Sequence, residues 1–174
     1  SASGLGLGKA STTLEVAVLI AEALRGVSGI ELEIYSYASC GEDHRDNLIK
    51  YLYGKKNPSL CSIAGYEGGA QNYDHQVIKV TGEMFLQNTV NTNRLMIVIS
   101  DGEPAGHNYG GQPAINLTKK AVEDLEAKGV HVLNVTIEAF NSNAMFKHVL
   151  KFTDMSSFIS KMRNLLVKII KQVS

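Results

Sequence analysis

The fold of this chain is decided by one stretch of sequence, Leu95-Met96-Ile97-Val98-Ile99-Ser100-Asp101-Gly102-Glu103-Pro104. Its first residues are all apolar, without polar alternation, which is typical of a strand buried on both faces in a parallel sheet. Asp101 stands where this strand ends, at the carboxyl edge where open α/β sheets bind their ligands. A carboxylate there can face an ion or a substrate, but Asp-Gly is also common turn chemistry, so both interpretations stay open.

Apolar periodicity divides the rest of the chain into helices and strands. We predict helices at about residues 11–25, 43–54, 74–87, 113–128, 142–148 and 155–172. We predict strands at 30–37, 95–100, 130–137 and 150–153, and an edge strand at 60–66. The alternation indicates an α/β fold, a three-layer α/β/α sandwich around a mostly parallel, doubly wound sheet, with strand 95–100 at its centre and helices on both faces.

Length and composition favour one domain with one core. The chain has 174 residues, of which 44% are hydrophobic and 20% charged, as in an ordinary globular protein. Seventeen basic residues balance seventeen acidic ones, so no overall field attracts nucleic acid or an anionic membrane. The two cysteines, Cys40 and Cys61, cannot build a disulfide scaffold, and no apolar run is long enough to cross a membrane. We therefore expect a cytoplasmic protein that binds neither nucleic acid nor membrane.

The motifs that would indicate an enzyme are incomplete. The glycine-rich start, Gly4-Leu5-Gly6-Leu7-Gly8-Lys9, lacks the spacing of a phosphate-binding loop, and a dinucleotide fingerprint would need a third glycine at Lys9. The five histidines have no metal-ligand spacing, and no Gly-x-Ser-x-Gly elbow is present. We therefore expect that the protein is not an enzyme.

Three loops are more informative together than any of them alone. Ser1-Ala2-Ser3 precedes the first predicted helix, Asn72-Tyr73-Asp74 precedes the helix at 74–87, and Ser100-Asp101-Gly102 follows the buried strand. In order and spacing they resemble the von Willebrand factor A (VWA) domain with its metal-ion-dependent adhesion site. The resemblance is strongest to intracellular VWA domains of the cobaltochelatase and nitric-oxide-reductase-activation type, and it covers nearly the whole chain.

The resemblance implies a function. Ser1 and Ser3 match the two serines of the family's Asp-x-Ser-x-Ser motif, Asp74 its middle ligand and Asp101 its last ligand. Hydroxyl and carboxylate oxygens suit Mg²⁺, with Mn²⁺ or Ca²⁺ as alternatives. A carboxylate of a partner protein would fill an open position on the ion. The family further implies a cytosolic partner of the MoxR or chelatase type of ATPase.

One part of the family pattern is not in the sequence. The first Asp of the motif would lie two residues before Ser1, at the end of a central strand. We expect that strand and that Asp to precede Ser1, because a sheet without its central strand would expose long apolar edges.

Two other functions stay open. The chain could be a VWA-like scaffold that binds partners by surface shape without a metal. It could also be an enzyme that uses Asp74, Asp101 and Glu103 as acid–base groups or as ligands of a catalytic Mg²⁺.

Overall fold

A computed structural model describes residues 3–25, 27–28, 30–40, 46–66, 72–88, 93–137 and 141–173. The architecture is mixed α/β and consists of two compact units, Ser1–Asn72 and Tyr73–Ser174. Among the helices described, none combines the length and the apolar character needed to cross a membrane.

The first unit contains a helix, a β-hairpin and a 3-10 helix. Helix α1 is Ser3–Leu24, strand β1 is Ile34–Cys40, strand β2 is Asp46–Tyr53, and the 3-10 helix is Leu60–Gly65. The helix at 11–25 is thus confirmed but begins earlier, at Ser3. Its buried residues are Val16, Ala17, Ile20 and Ala21, at the three- and four-residue spacing of one helix face.

Two predictions in this unit were wrong. Within the predicted helix at 43–54, Asp46–Tyr53 form strand β2 and residues 43–45 lie outside the described ones; the predicted edge strand at 60–66 is the 3-10 helix. Strand β1 pairs with β2 in antiparallel fashion, and the rings of Tyr35 and Tyr51 meet edge to face at 5.2 Å across the pair. Such cross-strand aromatic pairs stabilise a hairpin and override a weak local preference for helix.

The second unit alternates helices and strands. Helix α2 is Asp74–Asn88, β3 is Arg94–Ser100, α3 is Gly111–Ala127, β4 is Val130–Thr136, α4 is Ser142–Met145, β5 is His148–Lys151 and α5 is Met155–Val173. The long helices and strands predicted here are confirmed, whereas the short helix at 142–148 ends at Met145 and the strand at 150–153 lies two residues earlier. Gly129 follows α3 with a φ of 81°, the left-handed conformation that commonly ends a helix.

Strands β3, β4 and β5 form a parallel sheet in that order. The prediction that strand 95–100 is central was wrong for the part of the sheet that the structure describes, because β4 is the middle strand and β3 ends the row. Strand β4 is almost entirely buried, whereas in β3 only Val98 is. The physical reason is that an apolar run predicts burial and contains no information on strand order.

Helices α2 and α3 cover one face of this sheet. Val98, Val130 and Val132 share a core cluster with Ile78 of α2 and with Ile115, Val122 and Leu125 of α3. Gly82 lets these helices approach closely, because a Cβ at this position would overlap the side chain of Leu125. Side chains alternate along a strand, so Ser100, Asn134 and Thr136 lie on this same face, nearer to the carboxyl edge.

Candidate functional site

The candidate site lies at the carboxyl edge of the parallel sheet. Asp101 follows the last residue of β3 and is half-buried, whereas Asp74 is the first residue of α2 and only 2% exposed. The loop at 101–110, which contains Asp101, packs on the residues that flank Asp74. The two predicted acidic ligands therefore belong to one region of the second unit.

A tight turn determines the position of Asp101. Its Oδ1 accepts a hydrogen bond from the Glu103 amide at 3.1 Å, and the Gly102 amide donates to Ser100 Oγ at 3.3 Å. Gly102 has a φ of 83°, which favours glycine, and its carbonyl accepts a hydrogen bond from the Asn141 amide at 3.3 Å. Asp101 is thus held by turn chemistry, as one of the two interpretations of the sequence expected, and it remains partly accessible to a ligand.

A buried asparagine supports this turn. Asn134 of β4 is fully buried, and its Nδ2 donates to the carbonyl of Val98 and to Ser100 Oγ, both at 3.0 Å. We did not identify Asn134 from the sequence. Its only signal there is that it interrupts the apolar run from Val132 to Val135.

Aromatic residues hold the start of α2 against the loop. The rings of Tyr73 and Tyr109 lie 5.1 Å apart, and those of His75 and Tyr109 lie 4.8 Å apart. The Tyr73 hydroxyl donates to the carbonyl of His107 at 3.0 Å. Gly106 is required beneath Tyr73, because a Cβ there would lie 2.8 Å from the ring. These contacts fix the backbone on either side of Asp74.

The electrostatics of this cluster reflect its burial. Burial raises the pKa of Tyr109, hydrogen bonds with Thr118 and the His75 amide partly offset this effect, and the negative charge of Asp74 makes the smallest contribution, which raises the pKa. Burial also lowers the pKa of His75, with a smaller effect from Lys79, so the imidazole is neutral at pH 7. Burial is therefore the largest influence on the pKa values of both Tyr109 and His75.

The hydroxyl of Tyr109 is expected to stabilise this cluster. It shares a hydrogen bond with Thr118 Oγ1 at 2.8 Å and accepts one from the His75 amide at 3.4 Å. Tyr109→Phe should lower the free energy of unfolding by about 1–2 kcal/mol, because it leaves a buried hydroxyl without its partner. The measurement is chemical unfolding of Tyr109→Phe, Thr118→Val and the double variant. If the two losses simply add, the hydrogen bond between the hydroxyls contributes nothing.

The other two predicted ligands belong to the first unit. Ser1 lies outside the described residues, and Ser3 is the first residue of α1, with its side chain outside the described ones. Within the described residues no three His, Cys, Asp or Glu side chains come together as a metal site. The predicted metal ligands are of another kind, because they are two carboxylates and two serine hydroxyls. All of these are hard oxygen ligands, which suit Mg²⁺.

The same edge contains further buried polar atoms. Asn134 Oδ1, Thr136 Oγ1 and Ser142 Oγ are buried and have no hydrogen-bond partner within the described part of the chain. Buried polar atoms are nearly always satisfied, so such a group marks a place where a further polar molecule belongs. No motif in the sequence indicates these residues.

The opposite edge carries a shallow depression with an empty volume of about 420 Å³ that includes open solvent. Its lining residues are Glu126, Gly129, Val130, His131, Lys147 and His148. It lies at the amino ends of β4 and β5, away from Asp101, whereas ligands of parallel sheets bind at the carboxyl ends. We therefore place the candidate site at the carboxyl edge.

Comparison with models of known protein families finds no match, and a search of curated proteins finds none either.

Proposed function

We propose that the carboxyl edge of the sheet in Tyr73–Ser174 holds a Mg²⁺ ion, which binds a carboxylate of a partner protein. In this proposal the chain is a cytosolic VWA-type interaction module with a three-layer sandwich fold, and it is not an enzyme. Its partner is a MoxR- or chelatase-type ATPase. The single observation that supports the proposal best is the nearly complete burial of Asp74 at the same sheet edge as the accessible Asp101.

The chemistry of the two carboxylates suits this role. A divalent cation held between two carboxylates would offset the repulsion between their negative charges. Mg²⁺ binds few protein oxygens directly and keeps several water molecules. In the proposal Asp74 and Asp101 contribute the carboxylates that hold the ion. A carboxylate of the partner replaces one water molecule, so that the ion bridges the two proteins.

The geometry of Asp101 favours a binding role over a packing role. The Glu103 amide donates to the Asp101 carboxylate, and the hydrogen bonds of Gly102 with Ser100 and Asn141 hold the turn, while Asp101 stays half-buried. A ligand held before the ion arrives loses little conformational freedom on binding. The cluster of Tyr73 and Tyr109 fixes the backbone beside Asp74, whose side chain is buried.

Removal of the charge of Asp101 tests the proposal. Asp101→Asn preserves shape and should lower the affinity for Mg²⁺ at least about tenfold, because even residues behind the direct ligands contribute that much at metal sites. Titration calorimetry with Mg²⁺ alone measures the affinity. The matched control is Asp124→Asn, which removes the same charge from an exposed position on α3 and should leave the affinity unchanged.

The free energy of unfolding of Asp101→Asn should show that Asp101 serves in binding and not in folding. Asp101→Asn should change the free energy of unfolding by less than about 0.5 kcal/mol in the absence of Mg²⁺, since the residue is not part of the core. If Asp101→Asn binds Mg²⁺ with the same affinity as wild type, or if the chain does not bind Mg²⁺, the proposed metal bridge is wrong. The metal-free scaffold then describes the protein better.

A further inference from the structure

The hydroxyl of Ser100 has its acceptor capacity fully used. Its Oγ accepts one hydrogen bond from Asn134 Nδ2 at 3.0 Å and a second from the Gly102 amide at 3.3 Å. A serine hydroxyl offers two acceptor lone pairs and one O–H donor. Both lone pairs are therefore engaged, and the O–H remains as the group that Ser100 can offer to a ligand.

The orientation of Asn134 is unambiguous. Its side-chain nitrogen lies 3.0 Å from the carbonyl oxygen of Val98, which can only accept a hydrogen bond. The nitrogen and not the oxygen must therefore face Val98, and the same nitrogen donates to Ser100. Asn134 is fully buried, so no water competes for these bonds. Asn134 consequently cannot accept a hydrogen bond from Ser100 through this nitrogen.

Ser100 is within reach of a ligand at the candidate site. It is the last residue of β3 and is half-buried, and its Oγ lies 3.3 Å from the amide of Gly102, within the turn that holds Asp101. Two hydroxyls at this end of the sheet, Thr136 Oγ1 and Ser142 Oγ, are buried and have no hydrogen-bond partner within the described residues, as expected where a polar molecule binds.

We infer that Ser100 donates a hydrogen bond to the carboxylate that binds at the Asp101 edge, and that Asn134 is the positioning residue that sets this role. The inference rests on the proposed function. Ser100 does not coordinate the ion, because its lone pairs are occupied. Water molecules bound to Mg²⁺ are donors, so the acceptor that suits the Ser100 proton is a carboxylate oxygen of the partner. Hydrogen bonds to a charged oxygen are about twice as strong as neutral ones.

The test separates the binding of the ion from the binding of the carboxylate. Mg²⁺ is titrated alone, and acetate is then titrated in saturating Mg²⁺, with the amide signal of Gly102 followed by NMR. Ser100→Ala should leave the Mg²⁺ affinity unchanged and weaken acetate binding about tenfold, the amount expected for one hydrogen bond to a charged group. Ser100→Thr keeps the hydroxyl and should restore acetate binding.

A second pair of variants tests Asn134. Asn134→Leu should weaken acetate binding without weakening Mg²⁺ binding. Ser100 then loses the hydrogen bond from Asn134 that orients its O–H towards the bound carboxylate. Val132→Ala removes buried side-chain atoms from the same face of β4 and serves as the control for lost stability. It should affect neither titration under conditions where both variants are folded.

The outcomes distinguish this inference from the proposed function. If wild type binds Mg²⁺ but Ser100→Ala binds acetate as well as wild type, the donor role of Ser100 is overturned and the metal site stands. If Ser100→Ala instead weakens Mg²⁺ binding, Ser100 is a metal ligand and the inference is also overturned. If wild type binds no Mg²⁺, the proposed function itself fails.

Discussion

Phe158→Ala is expected to lower the free energy of unfolding by about 3–5 kcal/mol, the usual cost of removing a buried aromatic ring. Phe158 lies on α5, is 2% exposed, and meets the ring of Phe152 edge to face at 5.2 Å. Phe152 directly follows β5, so this pair joins the closing helix to the end of the sheet. The loss of the ring should leave a cavity between these two elements.

Chemical unfolding followed by circular dichroism measures this loss, since the chain has no tryptophan to serve as a fluorescent probe. The control is Ile159→Ala at the next position, which is 50% exposed and should cost less than about 0.5 kcal/mol. If Phe158→Ala costs no more than this control, α5 does not pack on the sheet through Phe158.

Asn134→Asp is expected to destabilise the fold by about 3–5 kcal/mol at pH 7, because it places a charge in a fully buried position without a partner of opposite charge. The new oxygen would face the carbonyl of Val98, which now accepts a hydrogen bond from the Asn134 nitrogen. Two acceptors would then oppose each other in a poorly solvated interior.

The destabilisation by Asn134→Asp should depend on pH in a defined direction. Burial raises the pKa of a carboxyl group, so the folded-state pKa of the new Asp lies above its unfolded value of about 3.9. The charge penalty is absent below the unfolded pKa and grows as the pH rises towards the folded pKa. The stability difference from wild type should therefore narrow as the pH falls from 7 to about 4.

Unfolding curves at both pH values, each compared with wild type at the same pH, provide the measurement. Asn134→Leu is the matched control, because it removes the same hydrogen bonds without adding a titratable group, and its difference from wild type should not change with pH. If the stability difference between Asn134→Asp and wild type also stays the same at both pH values, water reaches the new carboxylate.

The sequence by itself determined the elements whose periodicity is strong. Helices α2, α3 and α5 and strands β3 and β4 were predicted close to their observed bounds, because a repeated apolar face or an apolar run specifies local structure directly. The segment Asp46–Tyr53 has no such clear pattern, and its strand state depends on pairing with β1, where Tyr35 meets Tyr51. Strand order likewise depends on contacts between distant segments, which is why β4 and not β3 is in the middle of the described sheet.

In the candidate site, too, some residues could be predicted from the sequence and others depend on tertiary structure. Asp101 was predicted as a ligand because it follows the buried strand, and Asp74 because its loop resembles the middle loop of the VWA domain. The role of Asn134 could not be predicted, since it depends on the register that places Asn134 opposite Val98 and close to Ser100. Only tertiary structure makes that contact, because the hydrogen bond joins residues on two strands that are separated in sequence by the whole of α3. A polar residue within an apolar strand indicates that some partner exists, and the fold alone decides which one.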